Sequence, residues 1–402
     1  MNTRAGQFAQ QAQGYRAFEP APLPPEPPLR FDGALLGALS RADQALGRLD
    51  GTAGTLPNAD LFVAMYVRQE AVLSSQIEGT QASLTDVLAF EAEEDGASEG
   101  DVEEVVNYVA AMNHGLRRLQ EFPLSLRLIR EIHERLMRGV RGQERQPGEF
   151  RNTQNWIGGT GSTLATATFV PPPPRVMQEA LASLETFLHE PGFPRLVHTA
   201  LAHAQFETIH PFLDGNGRVG RLLITFLLCH GGVLSRPLLY LSHYLKRHRQ
   251  QYYDRLQAVR VDGQWEEWLL FFLEGVAEVA VEAQATAGKI LALRELHRNQ
   301  LASEGRASGN LLRALDRLFE HPVLTVRTLE RELEVNYATA NSVLTRMLEL
   351  GLIEESTGYR RHRRFKYTPY VALFESTDGA ASTDVESPPA GTQSGAAGPR
   401  EE

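Results

Sequence analysis

The segment of the chain that is richest in chemically active side chains runs from His210 to Arg221 and reads HPFLDGNGRVGR. It combines an imidazole, a carboxylate, a glycine-rich turn and two guanidinium groups. His210 can accept a proton near neutral pH, and Asp214 offers the hard oxygen that Mg²⁺ prefers. This set of groups is suited to holding a polyphosphate together with its metal ion.

Two predicted helices position these groups. Apolar residues at helical spacing run from Leu196 to Ile209, and Pro211 should end that helix because proline lacks an amide donor. The turn at 215–217 is built from residue types that tolerate positive φ, so its backbone N–H groups can converge on an anion. A buried helix follows, and its N-terminal dipole adds to the attraction for phosphate. The imidazole therefore lies at the end of one helix, and the guanidinium groups lie at the start of the next.

Taken together, these residues fill each position of the pattern HPFx[D/E]GNGRxxR, and the chain thereby resembles the Fic family, most of whose members are protein adenylyltransferases. The resemblance implies that His210 is the general base, that Asp214 holds Mg²⁺ and that ATP is the substrate. AMP would pass to a Ser, Thr or Tyr hydroxyl of a protein, the chain itself included, with release of pyrophosphate. The groups that the resemblance assigns to the phosphates are Gly215, Asn216, Gly217, Arg218 and Arg221.

A second motif lies upstream, where Ser74, Glu78 and Gly79 fit the pattern [S/T]xxxE[G/N]. In the Fic family this pattern is inhibitory when it precedes the core. We expect Glu78 to pair with Arg221, so that ATP binds in an unproductive pose. A serine cap followed by a helix-ending glycine is common, so this pattern alone is weak evidence for inhibition. Its occurrence together with the motif at 210–221 favours the inhibitory interpretation. The alternative in which Glu78 supports removal of AMP stays open.

Two short stretches resemble the Fic flap, a hairpin whose exposed edge aligns a target segment through main-chain hydrogen bonds. A purely structural hairpin is the alternative for most of these residues. The predicted docking residues are Asn155, Trp156, Ile157, Thr168, Phe169 and Val170.

Aromatic residues beyond the second helix are candidates for contact with adenine. Tyr252 and Tyr253 are the pair that we assign to this role. Because aromatic residues at helical spacing more often belong to a core, a packing role is the alternative.

Composition indicates an intracellular regulator. The 402 residues include a single cysteine, Cys229, which excludes an internal disulfide. The chain has no signal peptide and no apolar run long enough to cross a bilayer, so we expect a cytoplasmic protein without a membrane partner. The net charge of −10 argues against a protein that coats nucleic acid. A homodimer is compatible with the sequence, which leaves the oligomeric state open.

Composition shifts divide the chain into five segments. We expect a mainly α protein with a Fic-type helical core, a short β-hairpin flap and a C-terminal winged helix-turn-helix. The segments are a Pro-rich arm (1–30), an N-terminal helical region with the inhibitory motif (31–110), the Fic catalytic core (111–295), the winged helix-turn-helix (308–372) and a disordered tail (376–402).

The C-terminal segment resembles a winged helix. Helical patterns at 324–333 and 338–350 flank a short turn, and a hairpin with five cations between Arg360 and Lys366 follows. Such a wing can contact DNA phosphates while the second helix enters a major groove. A protein-binding role stays open because a fold does not determine a function.

Two further alternatives concern the whole chain. It can be a DNA-binding regulator whose Fic core only senses nucleotide, although the intact His210 argues against a purely sensory core. Another transfer on the same fold, such as γ-phosphoryl transfer, is disfavoured by the intact GNG turn.

Overall fold

The structure is a computed structural model that describes residues 2–54, 59–92, 100–159, 161–305, 308–358 and 363–375. It is mainly helical, as the sequence predicts, and has two small antiparallel sheets. The first sheet contains β1 (Asn2–Thr3), β2 (Gly6–Gln10) and β3 (Arg16–Pro20). The second contains β4 (Val323–Thr325), β5 (Glu354–Glu355) and β6 (Arg364–Lys366).

Helices make up most of the remaining described chain. The first eight are α1 (Gly33–Gly54), α2 (Ala59–Ile77), α3 (Leu84–Glu91), α4 (Gly100–Arg118), α5 (Leu126–Leu136), α6 (Pro174–His189), α7 (Arg195–Ile209) and α8 (Asn216–His230). They are followed by α9 (Ser242–Arg247), α10 (Arg249–Asp262), α11 (Trp265–Ala302), α12 (Ser308–Glu320), α13 (Val326–Leu333), α14 (Tyr337–Glu349) and α15 (Thr368–Glu375).

Helix α7 lies at the centre of the core. Every residue from Leu196 to Ile209 is buried, because α6, α8, α10 and α11 all pack around this helix. One of these contacts is polar: the indole N–H of Trp268 donates to the carbonyl of Ala200 at 2.9 Å. A helix that is enclosed on all sides gives the following loop a rigid starting point, and that loop begins at His210.

The N-terminal arm differs from its prediction. The sequence predicts an extended arm over 1–30, whereas residues 2–20 form the meander β1-β2-β3, with Phe8 opposite Phe18. The two rings lie 5.0 Å apart, and Phe18 is fully buried. Prolines at positions 20 to 28 give the segment its extended character. Pro20 is the last residue of β3 and the others follow it, so none of them interrupts a strand.

Helix α2 carries the inhibitory motif at its C-terminal end and packs against α4, α9 and α12. The Tyr66 hydroxyl donates to the carbonyl of Ala283 in α11 at 2.9 Å. Arg68 pairs with Glu91 at 2.8 Å and also donates to the carbonyl of Glu320 in α12. Contacts along the whole length of α2 therefore fix where its last turn lies.

Helix α11 joins the core to the C-terminal elements. It has 38 residues and continues to Ala302, beyond the predicted core boundary at 295. Charged residues occur along its length, and no helix of the described residues is both long and apolar enough to cross a membrane.

The C-terminal elements follow the order α12, β4, α13, α14, β5, β6, and their sheet has the strand order β4-β6-β5. Asn336 caps α14 by accepting from the backbone N–H of Thr339 at 2.9 Å. The tip of the predicted wing, residues 359–362, and the predicted tail, 376–402, lie outside the described residues.

Candidate active site

The loop between α7 and α8 starts at His210, which ends α7 in a left-handed conformation with φ 49° and ψ 62°. Its backbone N–H still donates to the carbonyl of Phe206 at 2.9 Å. Left-handed backbone is uncommon for residues other than glycine and is concentrated at functional sites. The conformation turns the chain sharply and leaves the His210 side chain half-buried.

Two buried side chains hold the main chain of this loop. Arg151 donates from Nε to the carbonyl of His210 at 3.0 Å and from Nη2 to that of Pro172 at 2.6 Å. The Asn155 amide donates to the carbonyl of Phe212 at 2.9 Å. A guanidinium can serve several carbonyls at once, so Arg151 fixes the direction of the loop. Asn155, which the sequence assigns to target docking, is fully buried and holds the loop instead.

The Asn216 side chain closes the loop from the other end. Its Oδ1 accepts from the N–H of Phe212 at 2.8 Å, and its Nδ2 donates to the carbonyl of the same residue at 2.8 Å. Asn216 is 2% exposed. Because its amide is used within the loop, the group of Asn216 that remains for a phosphate is the backbone N–H.

His133 in α5 supports the same loop and was not identified from the sequence. Its ring stacks on Phe212 with centroids 3.7 Å apart. Nδ1 accepts from the N–H of Gly148 at 2.9 Å, so the proton lies on Nε2, which donates to the carbonyl of Asp214 at 3.1 Å. Burial lowers the pKa of His133 to about 4, so the ring is neutral at pH 7. A histidine within an amphipathic helix gives no sequence signal of this role.

The two motifs meet at Arg221. Its Nη2 lies 2.7 Å from Oε1 of Glu78, and its Nε donates to the Ser74 hydroxyl at 2.7 Å. The ion pair predicted from two motifs that lie 143 positions apart is therefore present. A Cβ on Gly217 would collide with the Glu78 carboxylate, so this carboxylate fills the concavity at the start of α8.

The Glu78 carboxylate is an anion at neutral pH. Burial alone would raise its pKa, but the charge and hydrogen bond of Arg221, helped by Arg218 and Arg249, hold the pKa below its usual value. Gly79 follows with φ 103°, a conformation that favours glycine. The glycine of the motif thus ends the turn that presents Glu78 to Arg221.

Asp214 and Arg218 lie on the other side of the concavity. Asp214 is part-exposed, and its Oδ1 accepts from the N–H of Gly215 at 2.7 Å. Arg218 is 3% exposed and lies 4.0 Å from the same oxygen. No group of three His, Cys, Asp or Glu residues is arranged to hold a metal ion in the described parts of the chain. A cation here would therefore depend on Asp214 together with oxygens of a ligand.

Burial lowers the pKa of His210 to about 3, and the charges of Arg260 and Arg151 act in the same direction. The imidazole is therefore neutral at pH 7. Neutral imidazole can accept a proton, as the role of general base requires.

The flap is present as an antiparallel bridge between Ile157 and Phe169, with hydrogen bonds of 2.8 and 3.0 Å. The Val170 carbonyl accepts from the N–H of Phe18 at 2.9 Å, so β3 covers that edge of the hairpin. Trp156, Phe169 and Val170 are buried, whereas Ile157 is half-buried and Thr168 is exposed. Of the six predicted docking residues, Ile157 and Thr168 have accessible side chains.

The two tyrosines assigned to adenine differ in position. Tyr252 is 1% exposed, and its hydroxyl lies 2.9 Å from Nε2 of His203, so it belongs to the core. Tyr253 is half-buried and lies beneath the Arg249 guanidinium, 5.2 Å from the ring centroid. Direct contact with a base is therefore open to Tyr253 rather than to Tyr252.

Two family descriptions match the chain around this site. The Fic/DOC family N-terminal region matches residues 36–117, which include Ser74 and Glu78, and the Fic/DOC family domain matches residues 123–228, which include the loop after α7. The chain belongs to the Fic/DOC family. The resemblance drawn from the two motifs is thereby confirmed.

Curated relatives carry adenylyltransferase names. The chain is 34% identical over 191 residues to the protein adenylyltransferase Fic of Aedes aegypti, a match of 45% of this chain and 35% of that protein. It is 35% identical over 193 residues to the protein of the same name from Culex quinquefasciatus, with the same coverage. The chain thus spans about a third of the length of these relatives.

A solved structure shares the fold. A Fic family protein from Desulfovibrio desulfuricans G20 superposes with a TM-score of 0.53 at 18% identity, covering 85% of this chain and 97% of that chain. This similarity shows a Fic fold.

We predict that Asn216→Ala lowers the free energy of unfolding by about 1–3 kcal/mol, because it leaves the buried N–H of Phe212 without its acceptor. Urea unfolding measures the change. Asn152→Ala, at an exposed position nearby, is the matched control. A loss no larger than that of the control would show that Asn216 does not stabilise the loop.

We also predict that His210 stays neutral from pH 8 down to about 5, where a free histidine with a pKa of about 6.5 is largely protonated. NMR of histidine-labelled protein, with the His210 signal assigned by its loss in His210→Ala, follows the ring directly. A titration midpoint above about pH 6 would contradict the burial argument.

Proposed function

We propose that the chain is a protein adenylyltransferase that Glu78 holds inactive. The observation that carries the proposal is the buried Arg221 guanidinium, which Ser74 and Glu78 share in the concavity at Gly217. The names of the curated relatives support AMP transfer from ATP to a protein hydroxyl.

In the proposed reaction the hydroxyl oxygen of the target attacks the α-phosphorus of ATP. A new oxygen–phosphorus bond forms, the bond to the bridging oxygen of the β-phosphate breaks, and pyrophosphate leaves. His210 accepts the hydroxyl proton, since its imidazole is neutral at pH 7 and therefore has a ring nitrogen that can take up a proton. Catalysis rests mainly on positioning and charge neutralisation.

The start of α8 would bind the phosphates. Nε of Arg218 and Nη1 of Arg221 are buried donors without a partner among the described residues. Buried donors normally have acceptors, so these two atoms fit a site for phosphate oxygens. The backbone N–H groups of the turn at 215–217 add the attraction of a helix N-terminus.

Asp214 fits a magnesium ion, because its part-exposed carboxylate lies beside these donors. Held by Asp214 and phosphate oxygens, Mg²⁺ would neutralise charge on the triphosphate. Tyr253 is our candidate for contact with adenine. The edge of the flap on the Ile157 side would align the target, because β3 already pairs with the other edge.

Glu78 would inhibit by competing for a guanidinium. An ATP molecule can still enter, but its γ-phosphate would meet the Glu78 carboxylate where Arg221 should receive it. Two anions cannot share one desolvated cation without a large cost, so the triphosphate would shift and its α-phosphorus would lose alignment with the target hydroxyl.

DNA binding by the C-terminal unit is our second candidate function. The element order α12-β4-α13-α14-β5-β6, with β6 between β4 and β5, supports the interpretation of this unit as a winged helix. The first turn of α14 is accessible, and Tyr337 is 53% exposed. Part of the predicted basic wing is engaged within the protein: Arg363 pairs with Glu355 at 2.9 Å, and Lys366 pairs with Glu375 at 3.2 Å. A DNA contact would therefore rest on α14 and on Arg360 and Arg361, which lie outside the described residues.

We predict that Glu78→Gly raises self-labelling from α-labelled ATP by more than about tenfold, since alignment of reacting groups can be worth several kcal/mol. Autoradiography and intact-mass spectrometry measure the added AMP. An unchanged rate would contradict inhibition by Glu78.

Two controls separate released inhibition from new chemistry. Glu78→Gly combined with His210→Ala should be silent, because the proposed base is gone. Arg221→Ala should not mimic the activation, because it removes a phosphate ligand along with the partner of Glu78. If Glu78→Gly lost an AMP-removing activity and gained no transfer, the hydrolase alternative would replace our proposal.

For the C-terminal unit we predict that affinity for a labelled duplex falls steeply between about 50 and 200 mM salt. Tyr337→Ala, and Arg360→Ala with Arg361→Ala, should each weaken binding, while AMP transfer in the Glu78→Gly background stays unchanged. Fluorescence anisotropy measures the affinity. Absence of binding at low salt would favour a protein-binding role.

A further inference from the structure

Both arginines of the phosphate-binding motif have a carboxylate partner. Arg221 pairs with Glu78, as described above. Arg218 pairs with Glu104 of α4, with 3.1 Å between Nη1 and Oε2. Glu104 stands outside the two motifs, and nothing in its local sequence distinguishes it from Glu103 beside it.

Glu104 is surrounded by donors. Its Oε2 also accepts from the Thr80 hydroxyl at 3.3 Å, and its Oε1 lies 3.4 Å from Nε of Arg141. The Glu104 side chain is 2% exposed. A buried carboxylate with a donor on each oxygen is held in one orientation, so it in turn defines where Arg218 lies.

The two carboxylates differ in accessibility. The Glu78 side chain is 21% exposed and lies against Gly217, in the concavity that a phosphate would occupy if Glu78 were absent. Glu104 is enclosed and reached through Arg218. When Glu78 is replaced by glycine, a phosphate could therefore take the place of its carboxylate at Arg221, while Glu104 would stay beside Arg218.

The pairing leaves donors of Arg218 available. Glu104 uses Nη1, Nη2 has a weak contact with Sδ of Met137 at 3.5 Å, and Nε is buried without a partner among the described residues. A guanidinium held at one edge by a carboxylate presents its other donors in a defined direction, which suits a phosphate.

We propose that Glu104 is a positioning residue that orients Arg218 toward the β- and γ-phosphates. The inference rests on the proposed AMP transfer. Glu104 would not touch the nucleotide. Its effect would pass through Arg218 and would therefore depend on the number of phosphates that the ligand carries.

The test is Glu104→Gln in the Glu78→Gly background, where inhibition is absent. The substitution keeps the size of the side chain but removes its charge, and one of the two oxygens becomes an NH2 group that cannot accept from the surrounding donors. We expect the Kd for ATP to rise by about tenfold, as for the loss of a charge-assisted hydrogen bond, while the Kd for AMP changes by less than about twofold. Isothermal titration calorimetry with each nucleotide, in the presence of Mg²⁺, measures both constants.

Glu131→Gln is the matched control. Glu131 also pairs with two cations, Arg118 and Arg127, but neither of them belongs to the motif. Both nucleotides should bind this variant as they bind the Glu78→Gly parent. For Glu104→Gln, equal weakening of ATP and AMP would indicate a merely structural role, and unchanged ATP binding would contradict positioning. Either result overturns the inference.

If Glu104→Gln does not fold, a second pair of variants decides. Thr80→Val removes one donor from Oε2 of Glu104, whereas Thr80→Ser keeps it. If Thr80→Val binds ATP more weakly but AMP as before, and Thr80→Ser shows no such change, the positioning role is supported. If the two variants bind ATP equally well, the inference is overturned. If the Glu78→Gly parent itself transfers no AMP, the proposed function fails instead, whatever the Glu104 variant does.

Discussion

The interaction on which the structure most depends is the enclosure of the Arg221 guanidinium at the start of α8. The side chain is almost fully buried, and a buried cation without compensating charge is strongly unfavourable. Ser74 in the last turn of α2 and Glu78 in the turn directly after it supply the acceptors. The placement of α2 against the core is thus tied to the requirement that Arg221 have an anion beside it, either Glu78 or a ligand.

Other contacts hold the last turn of α2 where Glu78 can reach. Arg249 donates to the carbonyl of Ile77 at 3.1 Å, and Lys246 donates to the Gln76 side chain at 2.7 Å. Near its middle, at Tyr66 and Arg68, α2 is held by α11 and α12. Removing one ion pair therefore leaves the helix anchored. The proposed inhibition and the fold are separable in this arrangement, because the carboxylate contributes charge to the pocket while other residues supply the attachment.

The sequence predicted which charged groups of the site meet better than it predicted the residues that hold them in place. The residues at 210–221 and the partner Glu78 follow from two local patterns, and the ion pair between Glu78 and Arg221 could be stated in advance because the family resemblance places both motifs at one pocket. Arg151, His133 and Glu104 could not be found in this way. Each acts on residues that lie more than 50 positions away in the chain, and each looks locally like an ordinary helix or loop residue.

Burial explains the other differences. Asn155 and Tyr252 have residue types suited to binding, yet packing against the loop and against His203 encloses them. The strands β1 to β3 were missed because each of them is stabilised by its neighbouring strands, and β3 also by the flap. The prolines that follow suggested an extended arm instead. Local pattern thus predicted a contact between distant residues where both partners lay in recognisable motifs, as Glu78 and Arg221 do.

The charge state of the pocket explains why Glu78, rather than another carboxyl group, balances Arg221. Glu70 and Glu207 also lie near this guanidinium, and burial raises the pKa of each to about 7 despite the attraction of Arg221. Both therefore retain a proton for much of the time at neutral pH. The pKa of Glu78 is lowered instead, because it pairs directly with the guanidinium. One full negative charge thus faces Arg221, at the place where the proposed reaction needs a phosphate.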